Sequence, residues 1–191
     1  MSAVELYTFL TSFIASPNTV IAASLRTTVP RIGKPFTYSK IIIVAHSLGA
    51  VVSRLALLEA HKNAAPWAGM VELVLFAPAH SGADIVRLAG MALTGLPVAM
   101  PAVQLVLVSL QDLEPKSTTL VDLASDVTAA LGKAPYLRAK TVILAKRDGI
   151  VSPKTFGSDP TPIVIPGVGH MSVCKPQPPF LAPLDAVTAL L

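Results

Sequence analysis

Three aliphatic, β-branched runs stand out along the chain: residues 40–45 (Lys-Ile-Ile-Ile-Val-Ala), 70–76 and 140–145. The first is unbroken from Ile41 to Ala45 and the other two are largely apolar, which reads as strands buried on both faces, the pattern of a parallel sheet. Between them the apolar spacing turns helical. Val51, Val52, Leu55 and Leu58 predict a helix over 48–61, and residues 117–131 predict another with Asp122 and Asp126 on its polar side. A short strand over 162–165 and a closing helix over 183–191 complete the C-terminal part. Near the N-terminus, residues 4–9 alternate and read as a strand, or else as part of a helix running to Ile14. Asn18 can cap a further helix ending near Pro30. Residues 83–93 and 103–110 form two apolar helical stretches. Strands alternating with helices predict an α/β architecture, a mostly parallel sheet flanked by helices. No repeat or low-complexity linker divides the 191 residues, so one domain over 1–191 is expected.

Composition narrows the picture. The chain is 52% hydrophobic and 14% charged, with a mean hydropathy of +0.64. That excludes disorder and implies a heavily buried sheet or an exposed apolar region, the latter compatible with a dimer or contact with a lipid surface. The formal charge is +4, yet no run of Lys and Arg carries it, and aromatic residues are 5%. A nucleic-acid groove needs clustered cations and stacking rings, so that class is excluded and the basic excess reads as solvated surface. Residues 88–111 hold no charge and are long enough to span a bilayer. Gly90, Gly95, Pro97 and Pro101 would break such a helix near its middle, which favours two short helices. The N-terminus lacks a basic segment followed by an apolar core, and the single Cys174 excludes an internal disulfide or a cysteine-based zinc site. A cytoplasmic location follows as the expectation.

The chemistry sits where the 40–45 strand meets the next helix. A serine hydroxyl becomes a useful nucleophile only when a base takes its proton and the backbone aims it at the substrate. A sharp strand-to-helix turn provides the aim, and it requires small residues two before and two after the serine. Around Ser47 those positions are Ala45 and Gly49, and the N–H of Leu48 opens the helix as an oxyanion donor.

The run Ile-Ile-Val-Ala-His-Ser-Leu-Gly-Ala-Val-Val-Ser-Arg resembles the α/β-hydrolase superfamily, most of all its lipase and serine-esterase branch. Ala45 departs from that family's usual glycine by one methyl. In the family the partners follow in the order Ser, then Asp or Glu, then His. Lys-Arg-Asp-Gly-Ile-Val-Ser-Pro over 146–153 is similar to its acid loop, which makes Asp148 the expected acid, with Asp159 as competitor. Pro-Gly-Val-Gly-His-Met over 166–171 resembles its base loop and points to His170. Phe-Ala-Pro-Ala-His-Ser-Gly over 76–82 is similar to a Thr-Pro-His stretch of lipase-like esterases; His80 would line the cleft, with a second base as the other role open to it. His46 lies beside the nucleophile, where the family often carries histidine. Residues 83–111 fall where the family places a lid or acyl-pocket cap; the alternative is two helices completing the core. His46, His80, Met91 and Leu96 are thereby expected on the substrate side.

The resemblance implies a carboxylesterase or lipase acting on an uncharged ester or lipid, with no cofactor and no metal. A thioesterase or acyltransferase would share the same residues. The early part departs from the family. Only 46 residues precede Ser47, with no His-Gly or Gly-Gly pair among them, so a truncated or minimal hydrolase lacking the usual second oxyanion loop is expected. The stretch 7–11 is the substitute suggested for that donor. A missing donor is worth about 3–4 kcal/mol of transition-state stabilisation, which leaves a weakly catalytic or non-catalytic binding module as the other reading.

Overall fold

The structure is a computed structural model that describes residues 1–17, 19–20, 38–84, 116–151, 153–154 and 156–191. Its centre is a four-stranded parallel sheet in sequence order: β1 (Ile41–His46), β2 (Val71–Phe76), β3 (Ala139–Ala145) and β4 (Ile163–Ile165). β1 and β2 pair from Ile41↔Val71 to His46↔Phe76 without slippage, whereas the β2–β3 register shifts between Leu73 and Val74. The described helices are α1 (Ala3–Ala15), α2 (Leu48–Lys62), α3 (Thr118–Ala130) and α4 (Ala182–Thr188). The α/β class expected from the alternating pattern is therefore observed.

β2 is the strand closed on both faces: Leu73, Val74, Leu75 and Phe76 are fully buried. Burying one such side chain contributes about 1.5–3 kcal/mol, so these four anchor the sheet. β1 differs from its expected burial. It ends the strand order on one side, Ile41 to Ile43 are only half-buried, and Val44 is 49% exposed. Its unbroken apolar run matches that of a central strand, but its place in the order leaves one long side without a described neighbour.

α2 packs against α1, β1 and α3, which explains why so much of its circumference is buried, from Ala50 and Val51 to Leu57, Leu58 and Ala60. Residues 4–9 belong to helix α1 and not to a strand. Ser2 caps the helix: its Oγ accepts from the Glu5 N–H, and the Glu5 carboxylate accepts from the Ser2 N–H at 2.6 Å. This reciprocal capping decides between the two options that the alternation leaves open. The helix expected after Asn18, and most of the 83–111 insertion with Met91 and Leu96, lie outside the described residues. So does all of the 88–111 stretch; among the described residues no helix is long and apolar enough to cross a membrane.

Candidate active site

All three strand-following turns that matter lie at the carboxyl ends of the sheet. Ser47 leaves β1 with φ 55° and ψ −123°, a left-handed conformation that a non-glycine residue adopts only under strain. Neighbouring backbone holds it there. The Ser47 N–H donates to the Phe76 carbonyl at 3.0 Å, and the Ser47 carbonyl accepts from Ala50 at 3.1 Å and Ala79 at 3.3 Å. The small residues around the turn are nearly in contact: a Cβ added at Gly49 would lie 3.8 Å from that of Ala45. That is ordinary van der Waals packing, so the methyl of Ala45 fits.

The turn after β3 carries Asp148. Its Oδ1 accepts from the N–H groups of Ile150 at 2.9 Å and Val151 at 3.0 Å, which locks the carboxylate. Its Oδ2 accepts from His170 Nδ1 at 2.8 Å. Burial pushes the Asp148 pKa up, but the His170 hydrogen bond and the two backbone donors outweigh it and leave a net lowering. The carboxylate is thus ionised and accepts only, which fixes the His170 tautomer with its proton on Nδ1. His170 Nε2 is then free to accept, and Ser47 Oγ lies 3.0 Å away.

The loop bearing His170 is tied down at several points. Gly167 has φ 80°, and the Gly169 N–H donates to Ser172 Oγ at 3.0 Å. Arg147 donates its N–H to the Val168 carbonyl at 3.3 Å, linking the loop that carries Asp148 to the one that carries His170. His46 Nε2 donates to the His170 carbonyl at 2.8 Å, with the two rings 4.6 Å apart. Burial lowers the His46 pKa, opposed by that hydrogen bond, so the ring is neutral near pH 7. Ser47 is 7% exposed and His170 4%, so the hydrogen-bonded line runs in a water-poor environment that strengthens it.

The structure thus brings Ser47, Asp148, His170 and His46 together, with Leu48 opening α2 beside the serine. As the first helical residue, Leu48 has no intrahelical acceptor for its N–H. It does not bring in His80 or Asp159. His80 is 5% exposed, its ring 4.6 Å from that of Phe156 and near the Ala50 backbone, with neither nitrogen in hydrogen-bond geometry with a described residue. Burial, reinforced by the nearby Arg54 charge, lowers its pKa to about 3. Asp159 pairs with Arg54 Nη2 and accepts from the Ala139 N–H at 2.9 Å. Tyr7 and Thr11 engage Trp67, beyond the C-terminal end of α2, so the stretch 7–11 loses support as an oxyanion donor near Ser47. The residue that sequence reasoning missed is Arg54, whose side chain is fully buried. Its place at helical spacing between Val51 and Leu58 was the available signal. Among the described residues no set of three His, Cys, Asp or Glu side chains could hold a metal.

No protein-family model and no curated protein sequence matches the chain. Among solved structures it is similar to MGS-MChE2, an α/β hydrolase enzyme from the metagenome of sediments from the lagoon of Mar Chica, Morocco. The superposition has a TM-score of 0.52 at 16% sequence identity, covering 99% of this chain and 70% of that one. The chain has an α/β-hydrolase fold.

Proposed function

We propose that this chain is a serine hydrolase that cleaves carboxylic esters through an acyl-enzyme on Ser47, in the manner of a carboxylesterase or lipase. The observation that supports it is the continuous hydrogen-bonded line from Ser47 Oγ through both nitrogens of His170 to a locked, ionised Asp148. In this reading Ser47 Oγ attacks the ester carbonyl carbon while its proton passes to His170 Nε2. The tetrahedral oxyanion is held by the Leu48 N–H. Collapse breaks the C–O bond, and the His170 proton leaves on the alcohol. Water then repeats both steps with the acyl group as substrate and returns free acid and Ser47. Asp148 holds the imidazole orientation and stabilises its cationic form throughout. The apolar sequence of residues 83–111, with Met91 and Leu96, favours lipophilic acyl groups over charged ones.

The test combines a fluorophosphonate probe with short and medium p-nitrophenyl esters, on wild type and Ser47→Ala. Labelling and ester turnover, both abolished in Ser47→Ala, are the expected result. Labelling without turnover would point to an acyltransferase or thioesterase. No labelling would leave a non-catalytic binding fold.

A further inference from the structure

The amino ends of the strands, opposite Ser47, carry a second concave surface. A groove of about 510 Å³ is lined by Lys40, Lys133, Arg138 and Lys140, with Glu72 its only carboxylate among the described residues. These cations are scattered in sequence; the parallel register gathers them. Lys40 precedes β1, Arg138 precedes β3, Lys140 lies in it, and Lys133 follows α3. Four cations against one carboxylate leave a surplus of three positive charges, most of the chain's formal +4. The basic excess is therefore focused and not spread over solvated surface.

Glu72 faces only two of the four, Lys40 Nζ at 3.8 Å and Lys140 Nζ at 3.7 Å. Lys40 Nζ also donates to the Leu190 carbonyl at 2.6 Å. Lys133 and Arg138 have no carboxylate partner among the described residues. The floor is open at Gly69, where an added Cβ would meet nothing within 4 Å, and Met70, Pro135 and Tyr136 give the walls apolar area.

From this arrangement we propose that the groove binds a soluble organic phosphate carrying at least two negative charges. Its volume exceeds what a single phosphate fills and falls in the range of small-molecule sites. Its apolar walls suit an organic portion, and its concavity suits a small molecule better than a membrane surface. Arg138 supplies a planar fork that matches phosphate oxygens, and the lysines act as point charges. The proposal is independent of the ester chemistry, since the two surfaces lie at opposite ends of the strands.

The test is isothermal titration calorimetry with pyrophosphate and with ATP, in low and in physiological salt, alongside sedimentation with phosphatidylglycerol vesicles. Expected are saturable one-site binding of ATP, tighter than that of pyrophosphate, and weakening with added salt. Lys133→Gln/Arg138→Gln should weaken it by at least about tenfold, because charge-assisted hydrogen bonds are lost. Both side chains are exposed, so circular dichroism of that variant should match wild type. Ser47→Ala should bind like wild type. Absence of saturable binding, binding that the double substitution leaves unchanged, or association with the vesicles alone would overturn the proposal.

Discussion

Two buried polar clusters of similar composition occupy this fold. One joins Ser47, His170 and Asp148; the other joins Arg54, Asp159 and His80 around Phe156. Each contains an aspartate and a histidine almost removed from water. In the first, both His170 nitrogens and both Asp148 oxygens are hydrogen-bonded, and the line ends on a hydroxyl held in strained backbone. In the second, the guanidinium meets Asp159, donates to the Leu137 carbonyl at 2.7 Å and stacks 4.3 Å from the Phe156 ring, but Arg54 Nε and both His80 nitrogens find no partner among the described residues. The first cluster can pass a proton along a line. The second fixes geometry: it ties α2 to the segments carrying Leu137 and Asp159. Residue type alone does not separate a reacting site from a structural pin; completeness and direction of hydrogen bonding do.

The largest effect expected from this contrast lies between the two aspartates. Asp148→Asn keeps the shape but removes the acceptor that fixes the His170 tautomer, and kcat for the proposed ester hydrolysis should fall by roughly 10³–10⁴-fold. Asp159→Asn should leave kcat within about tenfold of wild type, because Asp159 touches no member of the Ser47 line. Steady-state kinetics on both variants at matched folded concentration checks this. Equal losses would dissolve the distinction between the clusters.

Next in size is the stability held by the Arg54–Asp159 pair. Arg54→Ala strands a carboxylate that is 2% exposed, and should cost about 3–5 kcal/mol in denaturant unfolding. Arg54→Met combined with Asp159→Leu removes both charges together and should recover most of that loss. A double variant as unstable as the single one would mean that Arg54 matters through its contact with Phe156 and its bond to Leu137 and not through charge.

The order of elements and the turn at Ser47 were legible because both are local: an apolar strand, small residues around the serine and a helical repeat are contiguous in the chain. Asp148 and His170 were legible as positions following particular strands, and the structure links them at 2.8 Å. Strand and helix stay open over 4–9 because the alternation competes with Ser2 and Glu5, whose capping signal spans only four residues. Val44's exposure was hidden because a run of isoleucines says nothing of which neighbours a strand will have. Arg54's burial was signalled by its helical spacing, but its partners and the cationic groove were out of reach for the same reason. Their members are distant in sequence; the register of β1, β2 and β3 gathers the groove's cations, and the packing of α2 against the segment carrying Asp159 gathers the Arg54 cluster.

The finest separation between the clusters is in acid. His80 stays neutral in the folded protein down to about pH 3, whereas the unfolded chain takes up a proton near the ordinary histidine value of about 6.5. Between these values the unfolded state binds one more proton, so stability falls as pH drops through that window, by up to about 1.4 kcal/mol per unit. Above it the contribution is level. His80→Leu fills the same apolar surroundings, removes two unpartnered nitrogens and abolishes this slope. Its stability should equal or exceed wild type at pH 7, and the advantage should widen by about 2 kcal/mol on going from pH 6 to 4.5. His46 and Asp148 also have lowered values, but they are present in both proteins, so the difference between the two unfolding curves isolates position 80. Parallel curves across that range would show that His80 takes up its proton in the folded protein as readily as in the unfolded chain. The second cluster would then be more open to water than its unpartnered nitrogens imply.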